Sequence, residues 1–113
     1  MSAYAFIDVL EVIDAGKLER YRKAVHATVM QYGGRYLSVG GACEIVEGNW
    51  LPTYVVLIEF PSIAHARRWY ASEDYRDLKT LRLEATRGTG VFIDGSGLEV
   101  LGHQHQDEEE PAR

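Results

Sequence analysis

The chain is short of cysteine, of clustered positive charge and of long apolar runs, and each shortage excludes something. A single cysteine, Cys43, rules out an internal disulfide and fits a reducing compartment such as the cytoplasm. With 12 Lys and Arg against 17 Asp and Glu, the net charge is −5. No basic patch stands out, which argues against nucleic acid as a partner. No run approaches the roughly 20 apolar residues of a membrane-spanning helix. The N-terminus has no basic region ahead of an apolar one, so no secretory leader is expected. Gly-x-Ser-x-Gly and His-Glu-x-x-His motifs are missing. Gly88-Thr89-Gly90 and Gly95-Ser96-Gly97 lack the strand–loop–helix setting of a phosphate cradle. His26 and His65 stand apart, with no second ligand at metal spacing. His103-Gln104-His105 alternates, but within a polar acidic stretch. Neither a metal nor a bound cofactor is expected.

What is present has ordinary globular proportions. The 113 residues are 46% apolar and 26% charged, enough for one domain with a real core. The organising stretch is Tyr54 to Phe60, fenced by Pro52 and Pro61. Its β-branched and aromatic content reads as a strand. Tyr54, Val56, Ile58 and Phe60 take one face, and Val55 and Leu57 the other with Glu59. A strand apolar on both faces belongs in the middle of a sheet. Tyr4 to Val12 reads as its neighbour, also largely apolar on both faces.

Asp14 is a plausible helix cap. Leu18, Tyr21, Val25, Thr28, Val29 and Tyr32 then fall on one helical stripe, and Gly33 suits the left-handed C-terminal position. Arg35 to Val39 reads as a strand, interrupted by Gly40-Gly41 and resumed over Glu44 to Glu47. Ser62 and Ser72 each precede a helical run, so two helical segments are predicted to meet at Ala71-Ser72. Gly88 and Gly90 are read as loosening the chain before a last strand, Val91 to Ile93. Leu98 to Leu101 suits a short strand or packing arm.

Strand–helix–strand–strand–helix–strand predicts an α+β, ferredoxin-like βαββαβ fold. Its four-stranded antiparallel sheet carries the helices on one face. The domain is expected over 1–101, with an acidic polar tail, 102–113, lacking regular structure. Helices leave one sheet face open although the inner strands are apolar on both sides. A second copy of the sheet is the economical cover, so a homodimer through the sheet face is expected.

Candidate polar residues follow from this layout. Arg35 offers a fork donor for an anion. Glu47 and Glu59 offer carboxylates, and Glu59 among apolar strand residues is expected to be desolvated, with the raised pKa of a general base. Tyr70 and Tyr75 offer hydroxyls beside Ser72, which doubles as a helix cap. Arg82 has three available partners: Glu84, Asp77 or a ligand carboxylate. Each of these polar groups also has a purely structural reading, in ion pairs, caps or core packing. Cys43 has no neighbouring base and is read as buried or inert.

The succession Tyr32-Gly33-Gly34-Arg35-Tyr36-Leu37, Gly40-Gly41, Glu47-Gly48, Glu59-Phe60-Pro61-Ser62, Ala66, Trp69-Tyr70, Ser72-Glu73-Asp74-Tyr75 and Leu81-Arg82 resembles the bacterial family called domain of unknown function 1330. That family is similar to the dimeric α/β-barrel superfamily. The resemblance implies a homodimer with its sheets face to face and no established reaction. Wider relatives include cofactor-free monooxygenases, lactone isomerases and haem-handling proteins.

Two functional readings result. In one, the protein binds a small organic ligand between sheet and helices, and as an enzyme would use Glu59 as base, Arg35 as anion stabiliser, and Tyr70, Ser72, Tyr75 and Arg82 around the ligand. In the other, it is a non-catalytic binding or stress-related module whose polar motif residues hold the fold.

Overall fold

A computed structural model describes residues 2–95. The expected arm at 98–101 and the acidic tail lie outside the described residues. The elements are β1 (Ala3–Val12), α1 (Ala15–Gln31), β2 (Arg35–Val39), β3 (Val55–Phe60), α2 (Ile63–Ala71), α3 (Glu73–Ala85) and β4 (Thr86–Asp94). The four strands pair antiparallel in the order β2-β3-β1-β4, which is the ferredoxin-like arrangement. No described helix is long and apolar enough to cross a membrane.

The helix boundaries follow from local chemistry. Asp14 accepts from the Lys17 N–H at 3.1 Å and starts α1. At the far end the Gly34 and Gly33 amides bond back to the carbonyls of Val29 and Met30, a Schellman closure that consumes carbonyls the helix leaves free. Gly33 takes φ 84° to allow it. Ser72 divides α2 from α3. Its hydroxyl donates to the Trp69 carbonyl at 2.8 Å and accepts from the Tyr75 amide at 3.1 Å, so one side chain closes one helix and opens the next.

Strand register decides which residues meet the helices. Ala3, Ala5 and Ile7 of β1 lie opposite Phe60, Ile58 and Val56 of β3. All six side chains share the helix-covered face, where Ala5, Ile58 and Phe60 join the α1 stripe Leu18, Tyr21, Val25 and Val29 in one core cluster, with Val56 packed against it. Trp69, Tyr75 and Phe60 are fully buried at the centre, each contributing roughly 1.5–3 kcal/mol of burial. The Trp69 indole N–H donates to the Thr28 hydroxyl at 3.0 Å, so the large ring carries no unmet donor into the core.

Two stretches differ from the sequence reading. The strand expected to resume over Glu44 to Glu47 does not form, and residues 41–54 have no regular structure. Gly40 turns the chain away at φ 67°, with the Tyr54 ring packed where a Cβ would stand. The loop instead crosses the open sheet face, where Trp50 meets Phe6 at 6.0 Å between centroids. It is fastened by the buried Asp8 carboxylate, which accepts from the amides of Thr53 and Tyr54 at 3.0 and 2.9 Å. The second difference is β4, which begins at Thr86. Gly88 and Gly90 lie inside the strand opposite Val9 and Ile7. Gly88 is there for closeness of backbones, since a Cβ would fall 2.4 Å from the Asp8 carbonyl oxygen.

Candidate ligand cavity between helices and sheet

A cavity of about 480 Å³ opens between α1, the start of β2, the inner strands and Arg82 of α3. Its size lies within the range of small-molecule sites. The floor is sheet: Ile7 and Val9 from β1, and Val56 and Ile58 from β3. These positions alternate along their strands, so the same pleat that builds the core also paves the cavity. Leu18, Tyr21 and Val25 wall it from α1, one helical turn apart. Arg22 and His26, exposed at the same helix, stand at the rim. The Arg22 guanidinium lies 5.7 Å from the Tyr54 ring centroid, and the His26 ring 5.2 Å from that of Tyr36.

The inner end is polar. Tyr21 and Tyr75 hydroxyls lie 2.9 Å apart, and the Arg82 Nε donates to the Tyr75 hydroxyl at 3.3 Å. Tyr75 and Arg82 are seven residues apart on α3, two turns along one face. Burial pushes the Tyr21 hydroxyl pKa up, helped by its Tyr75 neighbour. Burial likewise pushes Tyr36 up to about 12. Burial alone would lower Arg82, but Tyr75, Tyr21 and Tyr70 outweigh it and its pKa is raised. At neutral pH the Arg82 guanidinium is therefore a cation beside the neutral Tyr21 phenol.

The sequence-derived candidates converge only in part: Tyr70, Tyr75 and Arg82 are neighbours, and the others are not. Tyr75 and Arg82 belong to this polar end. Ser72 has both its hydrogen-bonding roles occupied at the α2–α3 corner. Tyr70 sits in an adjoining, smaller hollow that Arg82 also lines, against Phe92, with its ring 5.9 Å from that of Tyr75 and the Lys79 ammonium 4.2 Å above it. Arg35 and Glu59 lie on the opposite side of the sheet. Arg35 pairs with Glu59 across β2 and β3, and its Nε meets the Glu59 carboxylate at 2.7 Å. The reason is strand period: Glu59 is one residue from both Ile58 and Phe60, so it faces away from the helices. The raised pKa expected for Glu59 is also corrected. Hydrogen bonds from Ser2 and Arg35 lower it. Glu47 lines a third hollow under Trp50, on that same open face. Cys43 is exposed rather than buried, its thiol 3.7 Å from the Gly41 carbonyl oxygen.

Sequence reasoning missed Tyr21, Tyr36, Arg22 and His26. Tyr21 was legible as part of the apolar stripe, and its hydroxyl was the overlooked signal. Arg22 and His26 flank that stripe and read as solvent positions, because nothing local says that Tyr54 and Tyr36, distant in the chain, will stand beside them. Among the described residues no group of three or more His, Cys, Asp or Glu is placed to hold a metal ion.

This architecture is that of a ferredoxin-like α+β protein. Solved structures share it at low identity. A protein of unknown function from Rhodopseudomonas palustris superposes with a TM-score of 0.65 at 15% identity, over 82% of this chain and 81% of that one. A dimeric ferredoxin-like protein of unknown function from Jannaschia gives 0.59 at 12%, over 83% and 99%. SnoaB, a cofactor-independent oxygenase from Streptomyces nogalater, gives 0.52 at 12%, over 83% and 90%. No curated protein matches the sequence. The chain belongs to the family described as domain of unknown function DUF1330, whose pattern it matches over residues 2–96.

Proposed function

We propose that the protein binds a small, mainly apolar organic molecule in the cavity between α1 and the sheet. The observation that carries this is the cavity's composition: an aliphatic floor and wall ending in the Tyr21–Tyr75–Arg82 cluster. Apolar surface supplies affinity and a few fixed polar groups supply orientation. Among the described lining residues there is no carboxylate, cysteine or serine, so the reading assigns binding and names no nucleophile. The family and the oxygenase-like neighbour fit either a binding protein or an enzyme acting without a bound cofactor. The second reading, of polar residues that only hold the fold, is favoured at Ser72 and at the Arg35–Glu59 pair, whose bonds are internal.

The proposal includes a homodimer formed through the open sheet face. Leu10, Val91 and Ile93 are roughly half exposed there, and Trp50 is 60% exposed. Apolar sheet surface of that kind favours a second copy, and the Jannaschia neighbour is described as dimeric. The exposed thiol of Cys43 fits a reducing compartment such as the cytoplasm.

A thermal-shift screen of small organic metabolites on wild type and Val56→Phe tests the binding site. Phe at residue 56 adds a ring to the cavity floor on a residue type suited to a strand. Hits that raise the melting temperature of wild type but not of the folded variant are expected. Equal shifts in both would move the site elsewhere.

A further inference from the structure

Arg82 is a half-buried cation whose carboxylate partners are all engaged elsewhere. Glu84 is held by Lys17 at 2.7 Å. Asp77 and Glu73 are held by Arg76 at 3.2 and 2.9 Å. Glu11 pairs with Arg87, and Glu59 with Arg35. Asp74 accepts from Gln31 and Tyr32. Among the described residues, no carboxylate lies within ion-pair distance of Arg82. The acidic candidates on its own helix, Glu84 and Asp77, are thereby removed.

The hydrogen-bond direction adds to this. Tyr75 is fully buried, and its hydroxyl accepts from Arg82. Its oxygen lies 2.9 Å from that of Tyr21, and either hydroxyl can give the proton. A buried donor takes such a partner because leaving it unmet is costly. Tyr21, unlike Tyr75, lines the cavity, so its hydroxyl is the one within reach of a ligand. The unused Arg82 guanidinium N–H groups and the Tyr21 hydroxyl are both donors. The other charged lining group, Arg22, is also a cation. This is a cavity free of carboxylates in a chain of net charge −5.

We infer that the ligand of this cavity is an organic anion: a carboxylate on a flat or branched apolar body, its charge held by Arg82 and Tyr21 and its body on the Val56–Ile58 floor. The inference rests on the cavity reading above and narrows it to a chemical class. Charge-assisted bonds from a guanidinium in a partly desolvated site are the strong kind, and an isolated buried charge calls for a partner. Tyr75 acts here as a positioning residue, since it touches Arg82 and Tyr21 rather than the ligand.

The test is calorimetric titration with matched acids and amides of graded size: benzoate against benzamide, and naphthoate against naphthamide. They are run on the full chain as wild type, Arg82→Gln, Arg82→Lys and Arg22→Gln. The acids are expected to bind at least about tenfold more tightly than their amides to wild type. That preference should vanish in Arg82→Gln and largely return in Arg82→Lys. The wild-type ratio needs no variant to fold. Equal binding of acid and amide would overturn the anion class while leaving the cavity reading standing. No binding by either member of any pair would overturn both. An acid preference lost in Arg22→Gln but kept in Arg82→Gln would overturn the assignment to Arg82.

Discussion

Tyr21 and Tyr36 are held neutral by burial, and that has a consequence for stability at alkaline pH. An ordinary tyrosine gives up its proton near 10.0, while Tyr36 in the folded protein holds it to about 12 and Tyr21 is raised as well. Above pH 10 the unfolded chain therefore binds fewer protons than the folded one, and stability falls as pH rises. Their contribution is complete below the unfolded value and is lost as pH climbs through the folded one. The melting temperature is expected to drop as pH moves from about 10 toward 12. The double variant Tyr21→Phe/Tyr36→Phe should keep more of its neutral-pH melting temperature over that interval. Tyrosinate absorbance that the double variant lacks should appear above the ordinary value of 10.0. An identical alkaline decline in the double variant would contradict this account. Glu59 carries the opposite lesson at the same scale: a single strand position separates it from the cavity, and its pKa is lowered by its bonds from Ser2 and Arg35.

The α2–α3 corner shows how one side chain controls an element. Ser72 closes α2 through the Trp69 carbonyl and opens α3 through the Tyr75 amide, and both neighbours are fully buried. Ser72→Ala is expected to lower unfolding free energy by about 1 kcal/mol, the usual worth of a cap. A loss toward the upper end of the cap range, about 2 kcal/mol, would reflect the double role. Urea denaturation measures it, with an unchanged slope showing that the fold is kept. A change under a few tenths of a kcal/mol would mean that water replaces the hydroxyl at both helix ends. The 41–54 loop lies at this scale too. Its path is set by Asp8 and Phe6, residues of β1 far from it in sequence.

At the scale of the molecule, the sheet divides two environments. Helices seal one face and enclose the cavity; the other presents Leu10, Val91, Ile93 and the Trp50 loop. A stable interface buries about 1,200–2,000 Å² in total, within reach of a four-stranded sheet packed on its copy. Light scattering at micromolar concentration is expected to give twice the 12.7 kDa chain mass. Val91→Asp should shift it toward the monomer, because two copies would bury a charge without a partner. A monomeric wild type would remove the dimer from the proposal. Persistence of the dimer in Val91→Asp would move the interface off this face.

Read residue by residue, the sequence already specifies the order of elements, the helix caps at Asp14, Ser62 and Ser72, the open apolar sheet face and membership of the family. Those features are local or periodic: a cap needs its next turn, and a strand face needs only alternate residues. It did not determine that β4 would run through Gly88 and Gly90, because the approach to the Asp8 carbonyl that requires glycine exists only once β1 and β4 pair. It singles out Tyr75 and Arg82 as polar residues of interest but cannot separate them from Arg35 and Glu59. That separation depends on which sheet face the helices cover and on how Lys17 and Arg76 take the nearby carboxylates. Such partners are chosen across the packed helix pair and the sheet, through contacts between residues distant in the chain, and only the tertiary structure decides them.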